Sequence, residues 1–207
     1  MSLFLSNLWD EMKHAPVEEA SIPGTDWTWQ KLVAWCFLAG AILGVLRLFS
    51  GLIAVRKYRK TSEPVEDKEL LELLNLVRAE LGCRRSVGLR ESKSVSSPAT
   101  VGWRKPIVLL PREWREWSVS EQRAVLAHEV AHIRRFDFPA WIVAQMGVVL
   151  HFYNPVVHWL AGRLRLEQEL AADAAAAEVV GGNSVYLQTL AGMAIRQDDR
   201  RLSWAAR

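Results

Sequence analysis

The sequence has little cysteine. Its two thiols, Cys36 and Cys83, exclude a disulfide scaffold and any Cys-rich zinc module. Cys36 also sits in an apolar run, which argues against a bridge between the two. There is no large excess of one charge: the net charge is +3 and dispersed, unlike the basic footprint of a nucleic-acid binder. No internal repeat is present, and the only biased stretch is the alanine-rich Ala171–Ala177. With 50% apolar residues, the chain is neither disordered nor fibrous. Its 207 residues leave room for one domain of about 150 residues plus an appendage, not for two large domains.

Charge is absent where a membrane would demand it. Leu32 to Leu46 carries none, and from Leu32 to Val55 only Arg47 is charged. As a helix rising about 1.5 Å per residue, that stretch reaches about 36 Å, enough to span a bilayer. The acids Asp10, Glu11, Glu18, Glu19 and Asp26 precede it, and Arg56, Lys57, Arg59 and Lys60 follow. Trp27 and Trp29 mark one interface and the basic cluster the other. The positive-inside rule then puts the amino end outside and everything after Lys60 in the cytoplasm. A signal peptide is excluded by the acidic leading segment and the lack of a small-residue cleavage site. The organisation expected is an extracytoplasmic segment over 1–30, a transmembrane helix with its basic stretch over 31–60, and a cytoplasmic domain over 61–207.

Within that domain, the apolar spacing of Glu66 to Leu81 predicts an amphipathic helix stopped by Gly82. β-Branched runs with Gly102, Pro106 and Pro111 predict short strands near 87–90, 99–103 and 107–110. Val101–Leu110 offers either an edge strand along which a peptide can lie or an ordinary hairpin strand. Ser118 and Glu121 form a capping box that opens a helix through about Phe136. Asn154 and Pro155 open another, ending near Val180 before Gly181–Gly182. A last helix is expected from about Val185 to Arg196.

His128-Glu129-Val130-Ala131-His132 is H-E-x-x-H. Four residues apart on a helix, both imidazoles lie on one face and can reach one tetrahedral Zn²⁺. Glu129 points to the side, where it can take a proton from water at the metal. At this composition the pattern arises by chance in about 1% of such chains, so it needs context. The context is Glu169, on a downstream helix, as a third ligand that leaves one position open. Asp173, one turn later, would accept the second N–H of a ligand histidine. Arg165 shares the stripe of Glu169 and Asp173 and could neutralise a buried acid. Tyr153, Tyr186, His151 and Arg165 are the candidates for holding an oxyanion, and the sequence does not choose among them. His158, 11 residues from Glu169 and about 16 Å along the axis, cannot share the metal. Asp137 with Arg134 and Arg135 reads as a salt-bridged helix end.

The metal also constrains topology. Phe138 to Gly162 has no formal charge over 25 residues. Crossing a membrane once would put His132 and Glu169 on opposite sides. The break at Asn154–Pro155 instead suits a helical hairpin, either buried in the domain or dipping into the bilayer surface.

The segments Ser97–Gly102, Pro106–Pro111, Val125–Asp137 (VLAHEVAHIRRFD) and Asn154–Asp173 (NPVVHWLAGRLRLEQELAAD) resemble the BlaR/MecR-type antirepressor metallopeptidases, which are integral-membrane gluzincins. The resemblance implies an α+β fold: a mainly helical gluzincin-type peptidase domain with a small β-sheet, preceded by one transmembrane helix. It implies one Zn²⁺ per chain held by His128, His132 and the glutamate of E-x-x-[AC]-D, which is Glu169, with Glu129 as base. It implies a bacterial inner-membrane location and a cytoplasmic peptidase domain. The partners implied are membrane lipid and a protein substrate such as a transcriptional repressor, with no direct nucleic acid. Members usually carry two further spans upstream, and sensor-type members carry an extracellular domain after the peptidase. Only 34 residues follow Asp173, so no sensor domain is expected. The alternative function is a non-catalytic membrane signalling or scaffold protein that keeps a structural zinc site.

Overall fold

A computed structural model describes residues 28–205. By its internal contacts the chain divides at Leu38 and Ala39. The described part of the first unit, residues 28–38, is the exposed, apolar start of helix α1 (Thr28–Thr61). That helix is long and apolar enough to cross a membrane. The basic residues Arg59 and Lys60 lie in its last turn.

The second unit holds a four-stranded mixed sheet, five further α-helices and one short 3₁₀ helix (Arg112–Glu116) among the described residues. The strands are β1 (Glu63–Pro64), β2 (Gly88–Ser92), β3 (Ala99–Val101) and β4 (Ile107–Pro111), in the order β1-β2-β4-β3. β2 and β4 are parallel, with Gly88 opposite Ile107. β1 joins β2, and β3 joins β4, in antiparallel fashion. Two short strands at the flanks therefore protect a central parallel pair. The sequence does not announce β1, because two residues carry no alternation to detect. Of the two readings of Val101–Leu110, the hairpin stands: β3 and β4 pair antiparallel, with β3 at the edge and β4 central and buried throughout.

β4 shows why the domain needs cover on both faces. Val108 and Leu110 point into the main core, with Leu89 of β2, Leu70, Leu74 and Val77 of α2 (Lys68–Glu80), and Trp114. Ile107 and Leu109 point the other way, with Val101 against Val55 and Tyr58 of α1. The last turns of α1 thus cap the sheet. Gly102 has φ of +91°, and a Cβ there would strike the Arg59 guanidinium. Only glycine both turns the chain there and admits that close approach.

The helices begin and end where the local chemistry requires. Asp67 caps α2 through the amide of Leu70, at 2.9 Å, and Gly82 stops it with φ of +64°. α3 (Val119–Arg135) opens on the full Ser118/Glu121 capping box. It ends at Phe136, which adopts the left-handed conformation at φ 60° and immediately begins α4 (Asp137–Leu150). The Arg85 guanidinium lies over the Phe136 ring at 4.5 Å, and Arg85 also donates to the Ile133 carbonyl. α5 (Pro155–Val180) starts at the Asn154 cap, with Pro155 in its first turn, and stops at Gly181. The hairpin expected over Phe138–Gly162 is α4 followed by the first turns of α5. α6 (Asn183–Ala205) is longer than the sequence pattern predicts at both ends.

α3 and α5 form the most extensive helix pair. The buried residues of α5 are Gln168, Ala172, Ala176 and Ala177, and α3 buries Ala124, Ala127 and Ala131. Alanine faces let two helix axes approach closely, since interaxial distance follows side-chain size. Ala172→Leu should therefore overpack this contact and cost about 1–3 kcal/mol. Ala174→Leu, on the exposed face, should leave the thermal midpoint nearly unchanged. Thermal unfolding of the two variants in detergent checks the difference.

Candidate metal centre

The α3–α5 contact brings three ligand-type atoms together. One atom each from His128, His132 and Glu169 lie within 4.8 Å of one another. The two Nε2 atoms are 3.1 Å apart, and Glu169 Oε2 is 3.5 Å from that of His128 and 3.9 Å from that of His132. Ligands at about 2.05 Å from a tetrahedral Zn²⁺ stand about 3.3 Å apart. The three separations lie close to that edge length, so the residues fit the ion.

The outer nitrogens add a second argument. His128 Nδ1 lies 2.9 Å from Asp173 Oδ1, and His132 Nδ1 lies 2.7 Å from Asp137 Oδ2. A carboxylate on Nδ1 draws the ring proton there and leaves the Nε2 lone pair free. Both inward-facing nitrogens are therefore set to act as ligands. Asp173 stands where the sequence reading places it. Asp137 was expected only as a salt-bridged helix end. It does approach Arg135, at 3.7 Å, but its shorter contact is with His132. On an unbroken helix, residues five apart point about 140° away from each other. The left-handed Phe136 turns the chain between them and brings Asp137 back.

Glu129 is buried, at 6% exposed, beside this group. Burial raises its pKa above the ordinary carboxylate value, opposed by His128 and by a hydrogen bond from Thr100. The Thr100 hydroxyl is 2.7 Å from Glu129 Oε2 and 3.1 Å from the Glu129 carbonyl. Its single proton favours the shorter, charge-assisted contact. Thr100 is the second residue that the site reasoning missed. It lies in the Ser97–Gly102 segment that carries part of the resemblance, yet a lone threonine in a strand has no signal pointing 29 residues away.

The oxyanion candidates separate by distance. His151 and Tyr153 lie in the turn after α4, in ring contact with each other. The 14 residues of α4 put that turn about 20 Å from Asp137, and so from the histidine that Asp137 touches. They are corrected: neither reaches the site in this fold. Tyr186 does reach it. Its hydroxyl donates to Asp173 Oδ1 at 2.8 Å and lies 3.3 Å from His128 Nδ1. That is the outer side of the imidazole, which makes Tyr186 a support for the Asp173–His128 contact. Burial, then Asp173, raises its pKa and keeps the phenol protonated. Arg165 is exposed and joins no contact at the site among the described residues. Glu169, which it was to neutralise, is itself about half exposed, so there is no buried acid to offset. Glu167 turns away and pairs with Arg163 at 2.8 Å.

Residues 7–187 match the family described as BlaR1 peptidase M56. The chain is 30% identical over 148 residues to the regulatory protein BlaR1 of Bacillus licheniformis, covering 69% of this chain and 24% of that protein. It is 22% identical over 165 residues to the regulatory protein BlaR1 of Staphylococcus aureus, covering 76% of this chain and 28% of that one. The chain thus spans about a quarter of the length of these relatives.

Metal content should follow Glu169 and not its neighbour. Glu169→Ala removes one of three converging atoms and should release zinc at chelator concentrations that the parent tolerates. Glu167→Ala, about 160° away around the helix, should retain it. Zinc analysis after dialysis against graded chelator reads both. Loss in Glu167→Ala with retention in Glu169→Ala would mean that the helix register is wrong.

Proposed function

We propose that this chain, which belongs to the BlaR1 peptidase M56 family, is a membrane-anchored zinc endopeptidase that cuts a cytoplasmic protein. The convergence of His128, His132 and Glu169 beside the buried Glu129 carries the reading. A zinc ion held by those three residues supplies the Lewis acidity that polarises a peptide carbonyl and acidifies water. The rest falls to the protein. Glu129, with Oε2 anchored by Thr100, keeps its other oxygen for the proton of the attacking water. As the water oxygen bonds to the carbonyl carbon and the C–N bond breaks, Glu129 returns that proton to the departing amine. Asp137 and Asp173 hold the imidazoles in position.

β3 supports a peptide substrate. It pairs only with β4 among the described residues, so it stands at the sheet edge, where the Thr100 amide is directed at the Glu129 carboxylate. Thr100 ties that strand to Glu129. An extended peptide added to this edge would run past the metal group. The relatives are named as regulatory proteins, which favours a regulatory target such as a transcriptional repressor. The Arg56–Lys60 cluster favours a cytoplasmic domain over 61–207.

Two outcomes test this reading. Glu129→Gln should keep zinc and lose at least about 10²-fold in peptide hydrolysis, because the amide preserves shape and cannot take a proton. Near-parental cleavage by the zinc-loaded variant would remove Glu129 from the role, and absence of any hydrolysis by the parent would favour a structural zinc site. The second is topological. Tags after Lys60 and at Arg207 should both be protected in sealed right-side-out vesicles, while a tag at the amino terminus should be cleaved by added protease.

A further inference from the structure

The α4–α5 hairpin presents an apolar surface to its surroundings. Val143, Met146 and Leu150 form one exposed stripe on α4, at 68%, 51% and 70%. Val156, Trp159 and Leu160 continue it on α5. No residue from Phe138 to Gly162 is charged. Apolar exposure alone does not say what covers such a face. Two further observations do.

The first is where the hairpin tip packs. A Cβ at Gly40 would overlap the Phe152 ring, and one at Gly44 would lie 3.3 Å from Val149. These glycines, four apart on α1, form the close-approach face of a G-x-x-x-G pair. From Gly40 and Gly44 to Arg56, at the start of the basic cluster, α1 rises about 24 and 18 Å. The other element gives the same height. From Val149 back to Arg135, at the foot of the hairpin, is 14 residues, or about 20 Å. Half the hydrocarbon thickness of a bilayer is about 15 Å. With the basic cluster of α1 at the interface, the tip reaches the bilayer midplane. Arg134 and Arg135, before α4, return to the level of that cluster, while Arg163 and Arg165, about 12 and 15 Å along α5 from Pro155, lie nearer the tip, where long side chains reach toward the interface.

The second observation is how the tip treats its polar groups. An irregular turn at membrane depth must satisfy its own backbone. The His151 amide donates to the Gly147 carbonyl, and the Asn154 amide to that of His151. The Asn154 side chain accepts from the Val156 amide. His158, which has no part in the metal group, places Nε2 2.7 Å from the Phe152 carbonyl. These groups are satisfied within the protein, as a turn at membrane depth requires.

We propose that residues 138–162 form a re-entrant hairpin whose tip sits in the acyl-chain region against α1, with the Val143–Leu150 and Val156–Leu160 faces toward lipid. The hairpin enters and leaves by the side of the peptidase domain, so His132 and Glu169, at its two feet, meet at the membrane surface. The substrates that fit are segments presented at the cytoplasmic lipid interface. This rests on the reading of α1 as a span, and the test separates the two.

The experiment places single cysteines at Leu150, Val143, Leu43 and Lys93, with Cys36→Ser and Cys83→Ala. Each carries a small fluorophore in vesicles with nitroxides at the acyl-chain middle or the headgroup. Leu150→Cys should lose most emission to mid-chain nitroxide, as should Leu43→Cys on α1. Lys93→Cys, on the water-exposed sheet end, should lose little. In unlabelled vesicles, Leu150→Cys should resist a membrane-impermeant maleimide that modifies Lys93→Cys. If Leu43→Cys is quenched and Leu150→Cys reacts with the maleimide, the hairpin proposal falls and the span stands. If Leu150→Cys is neither quenched nor modified, protein covers the face and the lipid assignment falls. If Leu43→Cys is not quenched, both fall. Photo-activated crosslinking of the unaltered protein to a carbene lipid reads the same question without substitutions. Adducts should map within 143–160, and adducts on α1 alone would overturn the proposal.

Discussion

The structure depends on how closely α3 and α5 approach. Neither helix carries a complete site. α3 supplies His128, Glu129 and His132, and α5 supplies Glu169 and Asp173. Zn–N and Zn–O bonds are about 2.0–2.2 Å, so an ångström of extra separation between the axes would leave Glu169 short of the histidines. Buried alanines on both helices keep the side chains between the axes short. They contribute little apolar area each, and their value lies in the absence of atoms beyond Cβ. The cost in burial is made up elsewhere, by the leucines of α2, the alternating face of β4 and Trp114.

A second constraint concerns orientation. An imidazole can rotate, so proximity alone does not make a ligand. The fold supplies an acceptor for each outer nitrogen by different routes. Asp173 reaches His128 from the partner helix and is itself held by Tyr186 of α6. Asp137 reaches His132 because Phe136 reverses the backbone at the end of α3. A non-glycine residue in the left-handed region carries a cost of about 1 kcal/mol or more. The Arg85 guanidinium stacked on Phe136, with its bond to the Ile133 carbonyl, holds the corner in place. The bond from Arg135 to the Gln168 carbonyl, and that from Gln168 to the Asp137 carbonyl, lock the same corner against α5 one residue before Glu169.

On the other side of the sheet, α1 does more than tether the domain. Val55 and Tyr58 cover the second face of β4, and Arg59 lies against Gly102 at the β3–β4 turn. The strand that holds Thr100 to Glu129 is therefore packed on the end of the helix read as membrane-spanning. Ser62, just past that helix, accepts from Arg90 of β2 at 2.7 Å. Glu91, beside it, is held ionised despite burial by the Trp114 indole and by Arg115 and Arg112, which ties β2 to the segment leading into α3. Helix, sheet and site are linked through short, specific contacts.

The sequence by itself determined what depends on spacing along one element. H-E-x-x-H sets two nitrogens on one helix face, Glu169 and Asp173 fall one turn apart, and Ser118, Asn154, Gly82 and Gly181 mark helix ends. Each is a regularity of about one turn, legible without knowing what lies across the core. Tertiary structure decided whatever required two elements to meet. Thr100 lies on an edge strand with no local mark of its partner, and Asp137 is five residues from His132, a spacing that helical geometry reads as opposite faces. Tyr186, His151 and Tyr153 were equal candidates as letters. The length of α4 carried two of them away and the packing of α6 brought in the third. Arg165 kept the right stripe but lacked the buried acid that would have given it a partner. The reason is the same in every case: a helix fixes direction within about 100° per residue, whereas distance between helices is set by side-chain volumes summed over an interface.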